Sequence, residues 1–361
     1  MVIRTLSALH YRNLNEIVVD FSEGVNLLYG DNGQGKTNLV ESIYFITHLD
    51  SFRTGQLAAV IQNGQRAGHI QARIDSRGQQ CKATVEITPR GRRVWLDDVP
   101  IRRLSEYVGR FFSIVFNPEN LFAFRQQPHE RRMTLDRYLS FLEPEYVAAL
   151  REFRAIHAQK NQLLKAEQRP DLADWNGLFA QKCYTIGVYR RDLIAALNPL
   201  LSQVHQRLVG RASALRLVYQ PSLGGSVEDM RERLAAVEPQ EVRSRFALFG
   251  VHRDDMQLVD GTGRQSEQFS QGEFRLALLA LKLAMSEYLA GRELSRPVLI
   301  FDDVFSELDQ TVHQRLTEEL TRLSNQIFIT ATDRQPGDRM PGARIMEIRD
   351  GNVLDEERYR R

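Results

Sequence analysis

Gly24-Val25-Asn26-Leu27-Leu28-Tyr29 runs directly into Gly30-Asp31-Asn32-Gly33-Gln34-Gly35-Lys36-Thr37, after which Leu39, Ile43 and Ile46 recur at spacings of four and three. The order is an apolar strand, a glycine loop and a helix that opens near Thr37 with one apolar face. Gly30-x4-Gly35-Lys36-Thr37 fits the phosphate-binding P-loop in full. Its glycines let backbone N–H groups wrap phosphate oxygens, Lys36 reaches the β- and γ-phosphates, and the Thr37 hydroxyl is a magnesium ligand. The helix N-terminus adds partial positive charge at the same place. A glycine turn without a ligand is the competing reading, and the strand before and helix after the loop weigh against it.

Two later stretches supply what such a loop lacks. Val298-Leu299-Ile300-Phe301-Asp302-Asp303 is an apolar strand that delivers two carboxylates at its end. In P-loop enzymes the first of these helps to hold Mg²⁺ and an adjacent acid polarises the attacking water, roles that fall on Asp302 and Asp303. Phe269-Ser270-Gln271-Gly272-Glu273 opens a helix whose apolar face is Leu276, Leu279 and Leu283. Ser270 suits an N-cap there, which is a complete structural explanation. Ser and Gly at a helix start also make an anion site suited to a γ-phosphate.

The rest of the chain divides by character. Residues 49–115 read as short alternating strands, and Val298-Leu299-Ile300-Phe301 and Gln326-Ile327-Phe328-Ile329-Thr330 as buried parallel strands. Asp350-Gly351 signals a hairpin between Ile345-Met346-Glu347-Ile348 and Val353-Leu354. Between about 125 and 245 helical stripes take over, such as Leu193, Leu197, Leu201, Val204 and Leu208, broken near Pro221-Ser222-Leu223-Gly224-Gly225-Ser226. The expected architecture is therefore one α/β domain made from both chain ends, residues 1–124 and 246–361, with a helical lobe inserted over 125–245. The polar tail 355–361 is expected to fray.

Composition sets outer limits. A chain of 361 residues with 42% apolar and 26% charged residues can bury a real core, and no run of eighteen apolar residues is present for a membrane helix. The opening Met1-Val2-Ile3-Arg4-Thr5 lacks the pattern of a secretory signal, so the expected location is the cytoplasm. Cys81 and Cys183 lie far apart with no nearby His cluster, which excludes a disulfide framework or a zinc site built from them. The net charge of +2 argues for no anionic partner by itself. Six lysines against 42 arginines are most simply a matter of genomic base composition.

A P-loop, an S-x-G element opening a helix, an acid-ended strand and then Ser306-Glu307-Leu308-Asp309 resemble the ordered motifs of ABC-type ATPase heads: Walker A, signature, Walker B and D-loop. Within that superfamily the chain resembles the RecF family of the structural-maintenance-of-chromosomes group. The residues that carry the resemblance extend over most of the chain. They include Asn13-Leu14, the loop from Gly30 through Thr37 to Asn38, Ser51-Phe52-Arg53, Phe116-Asn117-Pro118-Glu119-Asn120-Leu121, Arg131-Arg132, Leu135-Asp136, Gly250, His252-Arg253-Asp254-Asp255, and Asp302-Asp303-Val304-Phe305 leading into the D-loop. Departures are Val251 for a usual Pro, Gln126-Gln127-Pro128 for a Gly-containing turn, and Gln159-Lys160-Asn161 where the family has a basic segment.

The resemblance implies an ABC-type P-loop ATPase head with an inserted helical lobe, which works in DNA replication, recombinational repair and the SOS response. It implies two copies sandwiching two ATP molecules, each bound by one P-loop and by Ser270 and Gly272 of the other copy, with Asp309 also at the nucleotide. It implies a weak, DNA-stimulated ATPase whose closed dimer binds duplex DNA and single-strand gap junctions and recruits mediators of the RecR and RecO type. Arg131-Arg132, Arg151 with Arg154, and Arg190-Arg191 give local support for phosphate contacts.

Other signals fail when read in full. His252-Arg253-Asp254 lacks the Asn that a kinase catalytic loop needs five residues on, where Val259 stands, and Gly261-Thr262-Gly263 lacks the third glycine of a dinucleotide fingerprint. His252-Arg253-Asp254-Asp255 is left open between tying the chain together and sensing nucleotide. The alternative function is the nucleotide-binding subunit of an ABC transporter, which the long insertion and the distance from Lys36 to Ser270 disfavour.

Overall fold

The computed structural model describes residues 1–76, 78–107, 109–168, 171–292, 296–305 and 308–355. The chain opens with β1 (Val2–Tyr11), β2 (Leu14–Asp20), β3 (Val25–Tyr29) and α1 (Lys36–His48). A strand-rich stretch follows: β4 (Gly68–Ser76), β5 (Gln79–Thr88), β6 (Gly91–Leu96), β7 (Val99–Pro100) and β8 (Ser113–Phe116). Helices then dominate, with α2 (Pro118–Gln126), α3 (Pro128–Leu142), α4 (Pro144–Lys165), α5 (Leu172–Val209), β9 (Arg216–Gln220), α6 (Val227–Ser244) and β10 (Asp255–Val259). The last stretch runs α7 (Gln271–Gly291), β11 (Val298–Phe301), α8 (Gln310–Arg322), β12 (Ile327–Ala331), α9 (Gln335–Asp338), β13 (Arg344–Arg349) and β14 (Asn352–Asp355).

Packing separates two compact units. The first comprises residues 1–122, 204–212 and 271–361, the second 123–203 and 213–270. The first unit holds two six-stranded sheets. One is antiparallel, in the order β2-β1-β4-β5-β6-β7; the other runs β14-β13-β3-β12-β11-β8, parallel except for the β13–β14 hairpin. Because β11 and β12 are buried on both faces, they read as apolar runs, and β3 is buried likewise at Asn26, Leu27 and Leu28. Helix α1 touches strands of both sheets, and Leu39, Val40, Ile43, Phe45 and Ile46 are fully buried around its circumference. The hairpin turn has positive φ at Asp350 and Gly351, as its Asp-Gly sequence requires.

The second unit holds α3, α4, α6 and all but the last turns of α5, together with a two-stranded sheet of β9 and β10. That sheet moves the return to the first unit from the expected residue 246 to Gln271, since β10 is held to β9 by five paired residues from Asp255↔Gln220 to Val259↔Arg216. The stripe Leu193, Leu197, Leu201, Val204 and Leu208 lies on the single helix α5, every member buried. The tail beyond Asp355, together with Ser306 and Glu307 of the D-loop, lies outside the described residues.

Two pairs of charged motif residues have structural partners in this unit. Arg131, 3% exposed, forms a two-pronged pair with Asp255 at 2.7 Å on each prong. Arg190, 2% exposed, bonds Asp136, Asp254, the Tyr146 hydroxyl and the Val251 carbonyl. These two arginines therefore do not supply phosphate contacts: their donors are spent on carboxylates of the same unit, Asp254 buried and Asp136 and Asp255 half-buried. Arg151 and Arg154 remain exposed on α4. The same bonds give Asp254 and Asp255 the structural role that the sequence left open, with Ser222 N and the Tyr219 hydroxyl also donating to Asp254. His252 packs its ring 4.3 Å from that of His157, and burial, then the neighbouring His157, lowers its pKa to about 4.

Candidate functional site

The loop from Gly30 to Thr37 is shaped by its glycines and by its neighbours. Gly30 (φ 147°) lies so close to the β13 backbone that a Cβ would sit 2.3 Å from the Ile348 carbonyl oxygen. Gly33 and Gly35 also have positive φ. The hairpin braces the loop from one side, as Asp350 N donates to the Gln34 side chain (2.6 Å) and Gly351 N to its carbonyl (2.9 Å). The β1–β2 turn braces it from another, with Asn13 donating to Gly33 O and accepting from Asn38. Asp31, Asn32 and Gly33 face solvent.

Lys36 folds back over this loop and donates to the carbonyls of Gly30 and Asp31. Burial lowers the pKa of its ammonium, while the carboxylates of Asp303, Asp302 and Asp31 oppose that shift.

The loop and the acid-ended strand meet. Thr37 Oγ1 donates to Asp302 Oδ1 at 2.9 Å, and Thr330, at the end of β12, donates to the same oxygen at 2.8 Å. Asp302 is 5% exposed; burial raises its pKa, and the Thr330 and Thr37 hydrogen bonds partly offset this. Thr330 also accepts from Asp303 N (2.9 Å). Asp303 is exposed and has φ 53°, a left-handed conformation in which Asp is more at ease than most residues. It borders a cavity of about 110 Å³ lined by Phe305, His313, Thr332, Asp333 and Arg339 among others, room for a few water molecules.

Residues around this centre went unassigned from the sequence. Glu41 of α1, fully buried, takes a two-pronged pair from Arg12 and a hydrogen bond from Ser51, while Arg53 reaches Asn38 at 2.9 Å. Arg12, Ser51 and Arg53 thus anchor the helix that carries Lys36 and Thr37. A polar residue ending the apolar run of β12 is the one sequence signal for Thr330.

The other expected site residues have surroundings of their own. Ser270 directly precedes α7 and is exposed, and it belongs to the second unit. Gly272, in the first turn of α7, is exposed too, and a Cβ there would meet nothing within 4 Å. Asp309 is the N-cap of α8, its carboxylate accepting from Thr311 N and Val312 N, which accounts for an acid at that place without a ligand. Thr37 and Asp302 offer the hard oxygens that Mg²⁺ prefers, and their number suits an ion that completes its shell with water and substrate phosphates. No group of three or more His, Cys, Asp or Glu able to hold a metal occurs among the described residues.

The sequence matches the family model described as RecF/RecN/SMC N terminal domain over residues 2–350. It is 34% identical over 346 residues to the DNA replication and repair protein RecF of Anaeromyxobacter sp., covering 93% of each chain. To that of Geotalea daltonii it is 30% identical over 354 residues, covering 95% of this chain and 97% of that protein. Among solved structures, the recombination mediator protein RecF-ATP of the RecFOR pathway aligns with a TM-score of 0.89 at 26% identity over 98% of both chains. An SMC head bound to the C-terminal winged-helix domain of ScpA has a TM-score of 0.61 at 15% identity, over 100% of this chain and 99% of that one, a likeness of fold alone. Relatives that match over the full length, helical unit included, do not favour the transporter-subunit alternative. No helix among the described residues is long and apolar enough to cross a membrane.

Proposed function

This chain belongs to the RecF/RecN/SMC N-terminal domain family, and from that membership we propose that it is an ATP-dependent DNA-binding protein of replication and recombinational repair. The observation that carries the proposal is the Thr37–Asp302 hydrogen bond, which joins the P-loop to the acid strand across 265 residues of sequence. In this reading the loop amides and Lys36 hold the β- and γ-phosphates of ATP. Mg²⁺, when bound, offsets phosphate charge, with Thr37 and Asp302 as its protein ligands. Asp303, exposed just past the strand end and lining the adjoining cavity, takes the proton of an attacking water placed there.

The nucleotide also joins two copies. Exposed Ser270 and the unobstructed Gly272 support this, because a glycine that nothing in its own chain requires leaves room for an incoming phosphate. ATP-closed dimers bind duplex and gapped DNA and help mediators of the RecR and RecO type to load recombinase, and slow hydrolysis, stimulated by DNA, releases them.

Sedimentation with ATP and a phosphate-release assay test the proposal. Lys36→Met loses ~30- to 100-fold in nucleotide affinity, the worth of one or two charged hydrogen bonds. Asp303→Asn binds ATP and turns over ~10²- to 10⁴-fold more slowly. Ser270→Arg binds ATP yet stays monomeric; a variant that dimerises as well as wild type removes the Ser270 assignment, and wild-type turnover in Asp303→Asn removes the base.

A further inference from the structure

With Arg131 and Arg190 buried, the arginines free to meet an anion lie elsewhere, and the antiparallel sheet of the first unit gathers a set of them at one end. Its strands are paired so that the β5–β6 turn, the start of β4 and the exit from β7 share that end: Gly68 faces Ile87, Thr88 faces Gly91, and Trp95 faces Pro100. Ile101 N then donates to Val94 O, so the next two positions on the two neighbouring chains are Arg92 and Arg93 on one and Arg102 and Arg103 on the other. Arg90 lies in the turn and Arg66 just before β4, which completes six arginines at one edge. Arg66, Arg90, Arg93, Arg102 and Arg103 are exposed.

Glu86 and Asp50 are carboxylates that act on this group. Glu86 lies 3.6 Å from Arg93, whose side chain is still 79% exposed, and the charge of Asp50 acts on half-buried Arg92. At the opposite end of the same sheet, in contrast, acids and bases are matched: Asp75 with Arg4, and Asp98 with Lys82. Like charges on neighbouring strands destabilise a sheet, so the arginine end is a standing cost that a polyanion relieves.

We propose that this edge, Arg66, Arg90, Arg92, Arg93, Arg102 and Arg103, is a binding strip for the phosphate backbone of duplex DNA. The inference rests on the DNA-binding function proposed above and gives it a surface. Strand geometry makes the footprint roughly 10 by 15 Å. A duplex carries one charge per ~1.7 Å of axis, so several phosphates meet the strip at once. Guanidinium groups on a flat edge, with no base-reading element among them, give affinity without sequence preference. The β1–β2 turn that braces the P-loop through Asn13 lies at this same end of the sheet, since Leu9 pairs with His69, next to Gly68. Duplex contacts here are thus close in the fold to the loop that holds nucleotide.

The test uses the full chain with ATP and the triple variant Arg90→Ser/Arg102→Ser/Arg103→Ser, whose sites are exposed and outside the nucleotide machinery. Fluorescence anisotropy of a labelled duplex is followed from 50 to 300 mM salt. Three lost phosphate contacts lower the slope of log K against log salt by ~2.7 and weaken binding on the order of 10²-fold near 0.1 M. Basal ATP turnover and ATP-dependent sedimentation stay at wild-type values, and the triple Lys variant recovers the slope. An unchanged slope in the Ser variant overturns the strip while leaving the DNA-binding function standing. Absence of duplex binding by the wild-type protein overturns both. If the Ser variant instead loses its ATP-dependent dimer with its DNA slope intact, the edge faces the second copy. If only binding to a single strand of equal length is lost, the ligand is not a duplex. Either result refutes the proposal.

Discussion

Replacing Arg190 by Met separates a structural arginine from a DNA-binding one. The Arg190 guanidinium donates at 2.9 Å to Asp136, to Asp254 and to the Val251 carbonyl, and at 3.2 Å to the Tyr146 hydroxyl. The side chain is 2% exposed, that of Asp254 1% and that of Asp136 16%. Methionine fills most of the volume but leaves two carboxylates in a site with little water. Asp254 keeps Ser222 N and the Tyr219 hydroxyl, and Asp136 keeps the Tyr146 hydroxyl, so the loss is softened rather than complete. Breaking a buried pair from one side costs about 3–5 kcal/mol. At a urea dependence of about 2 kcal/mol per molar, this lowers the unfolding midpoint by ~1.5–2.5 M. Each unit carries one of the two tryptophans, Trp95 in the first and Trp175 in the second, so the change is read from Trp175 fluorescence in a Trp95→Phe background. Adding Asp254→Asn reduces the penalty of Arg190→Met, because fewer charges are stranded. A destabilisation below about 1 kcal/mol, accompanied by a shallower salt dependence of DNA binding, would refute the structural assignment.

Three further outcomes follow from the geometry. Gly30→Ala places a methyl 2.3 Å from the Ile348 carbonyl and disrupts the loop, with nucleotide binding lost and the melting temperature of the first unit lowered; Gly33→Ala has open space and loses only the ~1 kcal/mol of an unfavourable φ. Equal effects of the two would show that the hairpin does not constrain the loop. His252 is held neutral, its pKa brought from 6.5 to about 4 by burial and then by His157, so its contribution is full above pH ~6.5 and fades as pH falls toward 4. Roughly 2–3 kcal/mol of that contribution is lost between pH 7 and 4.5, and His252→Phe should flatten the stability of the second unit over this range; an unchanged profile would assign the acid sensitivity elsewhere. Burial raises the pKa of Asp302, so its ionised form is lost at a higher pH than for an ordinary carboxylate, and magnesium-dependent nucleotide binding should weaken on acidification before the fold does; Asp302→Asn removes that dependence, as titration with a fluorescent nucleotide will report.

The sequence was most legible where chemistry is local. The P-loop, α1, the apolar runs of β11 and β12, and the Asp350-Gly351 turn each declare themselves within a dozen residues, and the structure brings Thr37 and Asp302 into contact. What stayed hidden depends on partners distant in sequence. Arg131 and Arg190 read as surface charge because Asp255 and Asp136 lie 124 and 54 residues away. The second unit extends beyond residue 245 because β9, five residues inside helical sequence, pairs with β10; a strand that short shows too little alternation to stand out among helices. Lys160, one basic residue in a segment that departs from the family pattern, lies fully buried 2.8 Å from Glu241, a pairing that no window around residue 160 contains.

The brace between the P-loop and the β13–β14 hairpin has a consequence for biosynthesis. Gln34 is bonded by Asp350 and Gly351, and β3 fills the centre of a sheet between β12 and β13, more than 290 residues downstream. During translation the phosphate loop emerges early, when the β1–β2 turn with Asn13 is the one brace of the two already made. At 5–20 residues per second, roughly 16–60 s pass before residue 351 is made. Throughout that interval an apolar strand destined for the middle of a sheet has both edges unpaired, which makes the nascent chain a natural client for chaperones. The ability to bind nucleotide is acquired only when synthesis is nearly over.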